Sequence, residues 1–410
     1  MDRPAARMHI GSLLQVLMSA LGLASCAVGA GAMLVAGLML TNSGQFALRE
    51  QSVTFMALAW TLAFLAVVAL PSLIYASRRI AGRPALPPTR PAGLRSASLA
   101  LLLWPPALAV GRVLADQTGP LRFLLPPLQI VAVVLPLWWL VALAAQKLPT
   151  LSPQRIWGAL NFSLFFSTPL VILAEIFLFL AVLVAVVVVI SGQPAMQRQF
   201  EELSQRILNS ASNPQALLRI YQPFLAQPWF IFSVLVGISG LVPLVEELLK
   251  PLAVWALAGR GLTPAAGFVI GALAGAGFAL LETLFSLASP AGSSWLELAI
   301  GRAGTGLLHV GTAALMGRAL AEAWRTSHYL RAGLTYFAVA AIHGLWNAFS
   351  VLSGYTDLLA GKTGLLNLLY RLGTVAPYML ALIAIGMFLA ILSTNLRLRA
   401  SSTADAAATS

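Results

Sequence analysis

The 410 residues are 59% hydrophobic and only 9% charged, whereas an ordinary soluble domain carries about 25% charged residues. No water-soluble core could absorb so much apolar surface, so the composition excludes a soluble globular protein and predicts a chain whose solvent is lipid. The net charge of +12 does not argue for nucleic acid, because the arginines are scattered over short polar stretches and read as topology determinants facing anionic lipid.

Segments of about 20 apolar residues fall near residues 12–40, 53–77, 97–115, 123–146, 159–190, 229–258, 265–288, 299–320, 332–353 and 371–394. They predict an all-α fold, a polytopic transmembrane helix bundle of about ten spans. Arg3 and Arg7, followed by an apolar run ending at Leu23-Ala24-Ser25-Cys26, imitate a bacterial lipoprotein signal. The run continues past Cys26 to about Leu40, which suits an uncleaved spanning helix better. Cys26 is the single cysteine, so no intrachain disulfide and no cysteine-based metal site is expected.

Residues 78–97 are rich in proline and arginine and read as an extended cytoplasmic linker. The fifth segment carries Glu175 with no motif around it, read as structural. In the polar stretch 192–228, Phe200, Leu203 and Ile207 recur at helical spacing, as do Leu217, Tyr221 and Phe224. Asn213-Pro214 between the two sets is a cap followed by a first-turn proline. Two amphipathic helices on the outer surface are expected there. With the N-terminus in the cytoplasm, most arginines and lysines fall in inside loops and tails, among them Arg78, Arg79, Arg83, Lys147, Arg260, Arg325 and Arg397. Both termini are therefore expected to be cytoplasmic. His9 and His328 fall at membrane edges or in loops and are assigned no role.

The second half of the chain places ionisable groups where lipid disfavours them. Glu246, Glu247 and Lys250 lie in the sixth segment, Glu282 in the seventh, His309 in the eighth, and His343 with Asn347 in the ninth. A carboxylate at the centre of a bilayer helix costs about 2.5–3.5 kcal/mol on insertion scales, so these groups are expected to meet one another around a polar cavity. Counting about 1.5 Å per residue from the inside ends puts Glu246, Glu282, His309 and His343 about 14–26 Å deep. Lys250 follows Glu246 by four residues and Glu247 by three, the favourable order for an ion pair. It would neutralise one glutamate and leave the other as a candidate base. Gly240 and Pro243 precede the pair, and proline frees a backbone carbonyl.

Gly267, Gly271, Gly275 and Ala279 form a smooth stripe for close approach of another helix, and Glu282 lies near the same stripe. Asn347 shares a helix face with His343 and is placed to donate to a ligand oxygen. A carboxylate base with imidazole and amide donors is what amide hydrolysis requires. Alternatively, His309, His343 and Glu247 would hold a zinc ion that activates the water. The soluble zinc signature His-Glu-x-x-His is absent, and the metal-free form stands beside the metal form.

Glu246-Glu247-x-x-Lys250, Phe278-x-x-x-Glu282, His309 and His343-Gly344-Leu345-Trp346-Asn347, in that order in four consecutive segments, resemble the motifs of the PrsW family of intramembrane proteases. That family sits in the broader superfamily of CAAX prenyl endopeptidases and bacteriocin-processing Abi proteins. The resemblance covers residues 229–353. It implies a glutamate- and histidine-dependent membrane peptidase in a bacterial-type plasma membrane, acting on a membrane-anchored protein such as an anti-sigma factor. Glu246 and Glu247 would be the acidic pair, with Glu282, His309 and His343 completing the polar core. Thr283 stands where many relatives have asparagine.

By these segments, 1–158 forms an N-terminal transmembrane module without an assigned role, and 159–228 the fifth span with its outer loop. The catalytic core would be 229–353, and 354–410 the last span and tail. The rival readings are a proton-coupled transporter, which midplane carboxylates and histidines also suit, and a non-proteolytic binding or immunity-type member of the same superfamily. Against the first, no internal repeat is visible; against the second, every motif residue is present.

Overall fold

The computed structural model describes residues 10–41, 46–91, 93–117, 120–210, 213–288 and 294–408. Arg3, Arg7 and His9 lie outside them. Among the described residues the chain is helical throughout, with a single antiparallel bridge, Thr89 to Leu151, as its only extended pairing. In chain order the helices are α1 (Ile10–Thr41), α2 (Phe46–Ile80), α3 (Leu94–Leu101), α4 (Trp104–Ala115), α5 (Leu125–Ala144) and α6 (Pro153–Phe162). A π-helical turn, Ser163–Ser167, joins α6 to α7 (Thr168–Ser191). Then come α8 (Pro194–Asn209), α9 (Pro214–Leu225) and α10 (Pro228–Val234). A second π-helical stretch, Leu235–Leu241, leads into α11 (Val242–Leu249) and the single turn α12 (Leu252–Trp255). The last four are α13 (Pro264–Ala288), α14 (Trp295–Thr326), α15 (Tyr329–Leu359) and α16 (Leu365–Ala408).

Among the described residues, nine helical segments are long and apolar enough to cross a membrane, and they coincide with nine of the ten expected spans. The eighth expected span falls in α14. At 32 residues α14 has the length, but its glycines, threonines, His309 and flanking arginines hold it below that apolarity. The stretch after α7 folds as two helices, and Asn213 Oδ1 caps the second by accepting from Ala216 N at 3.1 Å.

The chain divides into two compact units. The first comprises Met1–Pro169, Leu248–Tyr336 and Ala384–Ser410, and α13 runs through its centre with nearly every residue buried. The glycine stripe explains how α13 meets α14. At Gly267, Gly271 and Gly275 a Cβ would run into the carbonyls of Gly317, Ala313 and His309 respectively, so the two backbones touch where side chains would otherwise stand. Replacing Gly275 by leucine should destabilise the protein by about 1–3 kcal/mol or more, read as a lowered midpoint of thermal unfolding in detergent. Gly301→Ala, on α14 with open space around it, should be neutral or slightly stabilising.

The N-terminal helices of this unit hold together through uncharged polar groups that apolar counting overlooks. Ser19 Oγ lies within hydrogen-bond distance of Ser72 Oγ at 2.9 Å and Asn161 Oδ1 at 3.1 Å, and Gln15 Nε2 donates to Ser72 Oγ at 3.0 Å. These bonds clasp α1, α2 and α6 where lipid offers no competing partner. The outer surface of α1 carries Leu13, Leu14, Leu17 and Leu21, while its small residues Ser12, Ser19, Gly22 and Cys26 face inward. Near the C-terminus, Asn395 Nδ2 donates to the carbonyl of Ala144 at 2.8 Å and fastens α16 to α5.

The second unit comprises Leu170–Glu247 and Phe337–Ile383. Its apolar core gathers Ile231, Leu352, Leu359 and Leu369, and Gly373 lies where a Cβ would press on the carbonyl of Leu352. Glu175 lies on α7 of this unit, partly buried.

Candidate active site

The second unit holds the acidic pair and His343. The Leu235–Leu241 stretch is π-helical, and Val242 N reaches back to the carbonyl of Gly237. Pro243, the next residue, has no N–H to return to residue 239. The wide turn is met from α15. Asn347 Nδ2 donates to the carbonyl of Ile238 at 2.9 Å, and Gly344 lies where any Cβ would strike the carbonyl of Ser239. Helical spacing puts His343 and Asn347 on one face of α15, so the contacts that fasten α15 here also aim His343 at the turn after Pro243.

There His343 Nδ1 is 2.8 Å from Glu247 Oε1, and His343 Nε2 is 3.8 Å from Glu246 Oε2. All three side chains are buried. A carboxylate accepts and cannot donate, so Nδ1 carries the proton given to Glu247, and the Nε2 lone pair is turned towards Glu246. Adjacent helix residues point about 100° apart, and the imidazole spans that angle with one nitrogen for each glutamate. The ligand atoms of Glu246, Glu247 and His343 lie within 4.8 Å of one another. Carboxylate oxygen and imidazole nitrogen are both donor types that a zinc ion accepts, here with more carboxylate than imidazole.

The first unit holds the other motif residues in a hydrogen-bonded row. Lys250 Nζ is 2.8 Å from His309 Nδ1, and His309 Nε2 is 2.9 Å from Glu282 Oε2. An ammonium only donates, so Nδ1 accepts and Nε2 carries the proton passed to Glu282. Phe278, one turn before Glu282 on α13, packs edge-on to the His309 ring at 4.9 Å between centroids. Its own face lies 4.5 Å from Lys250 Nζ, a cation–π contact inside a buried site. Lys250, read in the sequence only against the glutamates before it, thus also has the histidine of α14 as a partner. The tight turn at Lys250–Pro251 between α11 and α12 carries it there.

The row ends on a residue to which the sequence reading assigned no chemistry. Arg302 Nη1 and Nη2 hold Glu282 Oε1 and Oε2 at 3.0 and 2.7 Å, a two-pronged grip. Its Nε and Nη2 also donate to Thr283 Oγ1 at 3.2 and 3.1 Å. A threonine at this position therefore supplies a side-chain acceptor, as an asparagine carbonyl would. Arg302 precedes His309 by seven residues, two turns on the same face of α14. That spacing was the available signal.

Residues 168–383, just over half of the chain, match the family model described as PrsW family intramembrane metalloprotease. No curated protein and no solved structure matches the chain.

Proposed function

This chain belongs to the PrsW family of intramembrane metalloproteases, and from that premise we propose that it is an endopeptidase cleaving a membrane-anchored protein in or near the bilayer. The observation that carries the reading is the buried group of Glu246, Glu247 and His343, where lipid tolerates charge only for a purpose. The ordered motifs support placing the chain with the CAAX-endopeptidase-like superfamily. They also support a substrate class of membrane-tethered regulators, as with anti-sigma factors, in a bacterial-type plasma membrane. The arginine bias supports both termini on the cytoplasmic side, with α14 counted as a tenth crossing.

His343 through Nε2, together with Glu246 beside it, would hold a divalent ion such as zinc. When bound, such an ion supplies Lewis acidity to the scissile carbonyl and a lowered pKa to water. Glu247 holds the imidazole in one tautomer by accepting its Nδ1 proton, a restraint that keeps the ring's second nitrogen fixed in direction. Glu246 takes the proton of the attacking water on the carboxylate oxygen turned away from His343 and returns it to the departing amine. The motif order supports a role for the Lys250–His309–Glu282 row in the same reaction. Within that row each member hands a hydrogen bond to the next. Asn347 holds the wide turn before the acidic pair in place through Ile238.

The test is elemental analysis of the purified protein together with turnover of a membrane-anchored substrate before and after chelation. The expected result is one equivalent of zinc or a related divalent ion per chain, and loss of cleavage on its removal that is reversed by adding it back. Full activity in a metal-free preparation would eliminate the metal form of the mechanism. Accumulation of a full-length membrane protein in cells lacking this chain identifies the substrate.

A further inference from the structure

The end of α2 carries a second polar feature, remote in sequence from every motif residue. Helix α2 closes in a left-handed cap. Gly82 has φ +66°, its N–H reaches the carbonyl of Arg79 at 3.1 Å, and Arg83 N reaches the carbonyl of Arg78 at 3.0 Å. This paired-bond termination turns the chain back on itself and returns Arg83 to the helix end beside Arg78 and Arg79. The linker that follows, expected to be extended, is fastened further on. Thr89 and Leu151 exchange both backbone hydrogen bonds, at 2.8 and 2.9 Å. That bridge brings the start of α6, with Ser152 as its cap, against the same place. The result is an open cavity of about 60 Å³ whose lining includes Tyr75, Arg78, Arg79, Arg83, Ser152 and Gln154. No carboxylate is among its lining residues.

Three guanidinium groups around one cavity repel one another unless an anion sits among them. Topology alone would be served by arginines splayed into water, and it needs neither a cap that folds Arg83 back nor a bridge that pins the linker. Guanidinium forks match the oxygens of a phosphate, and the N-terminus of α6 adds partial positive charge from its first-turn amides. The cavity also lies at the end of a membrane-spanning helix, the level at which phospholipid headgroups sit. We propose that this cavity is a binding site for a phosphate-bearing anion, of which an anionic phospholipid headgroup and free phosphate are the two sources.

Native mass spectrometry of the full chain in detergent tests it, with phosphatidylglycerol and phosphatidylcholine offered separately and inorganic phosphate as competitor. The expected result is retention of phosphatidylglycerol over phosphatidylcholine. Arg78→Gln/Arg79→Gln/Arg83→Gln together should reduce that retention about tenfold or more, since each basic residue near an anionic surface contributes several-fold. Neutralising three arginines outside the lining, Arg325→Gln/Arg331→Gln/Arg397→Gln, should change it less than twofold. Retention that survives inorganic phosphate supports the site with lipid as its ligand. Displacement by phosphate, with phosphate binding lost in the cavity variant, supports it with free phosphate as the ligand. Arg83→Gln alone, an exposed linker substitution, should lower binding a few-fold and guards against misfolding of the triple variant. Equal losses in both triple variants, or none in the cavity variant, would overturn the proposal, leaving only general attraction of basic loops for anionic lipid.

Discussion

Glu247→Gln and His343→Ala should each lower cleavage of a co-expressed membrane-anchored substrate by about 10²–10⁴-fold, the range for loss of a positioned acid–base group. The folded protein should still accumulate to normal levels. The two substitutions break one contact, the 2.8 Å bond between His343 Nδ1 and Glu247 Oε1, from opposite ends. If that contact is the working unit, the double variant should be little worse than either single one, because members of a catalytic unit are not additive. Immunoblotting of full-length and cleaved substrate beside the membrane level of the peptidase separates catalysis from folding. Normal cleavage in both single variants would remove the peptidase reading from these positions.

Arg302→Ala should lower turnover by about 10–100-fold, the effect of removing a residue that orients a working group from behind. Arg302 grips both oxygens of Glu282, and Glu282 in turn takes the Nε2 proton of His309. Without that grip the carboxylate is free to rotate and the imidazole loses its fixed direction. Arg302→Lys keeps the charge but not the fork, and should recover part of the loss. A purely structural role for Arg302 would instead lower the unfolding midpoint in both variants alike. Combining Arg302→Ala with Glu282→Gln separates the two explanations. Once Arg302 is gone, Glu282→Gln should cost less than it does in the unaltered protein.

The sequence carried the helical class and nearly all of the spans, because a 20-residue apolar run has few alternatives in lipid. It also carried the stripe on α13 and the face it presents, since Gly267, Gly271 and Gly275 recur at helical spacing. The partner of that stripe was not legible, because spacing within one helix does not name the helix it meets. The individual partners, Glu247 with His343 and His309 with Lys250 and Glu282, were hidden for the same reason. Glu247 and His343 are 96 positions apart in the chain, and only packing brings them to one bond. An arginine near a span end, such as Arg302, has a ready explanation in topology, which masks its grip on Glu282. The buried serine, glutamine and asparagine bonds of α1, α2 and α6 were hidden by hydropathy, which counts residues such as Ser19 and Ser72 as nearly neutral. Neither π-helical stretch has a compositional signature.

The wide turn at Leu235–Leu241 amounts to one surplus residue inside an otherwise continuous helix. Each helical residue advances the azimuth by about 100°, so the surplus sets the phase of everything after it. Deleting one residue there would leave the apolar stretch of α10 facing as it does now, yet swing Glu246 and Glu247 through roughly a quarter of a revolution or more. The acidic pair would then point away from His343 with no residue of the motif altered. The bearing of the two carboxylates is thus encoded upstream of them, in a miscount of backbone that Asn347 and Gly344 hold open from the neighbouring helix.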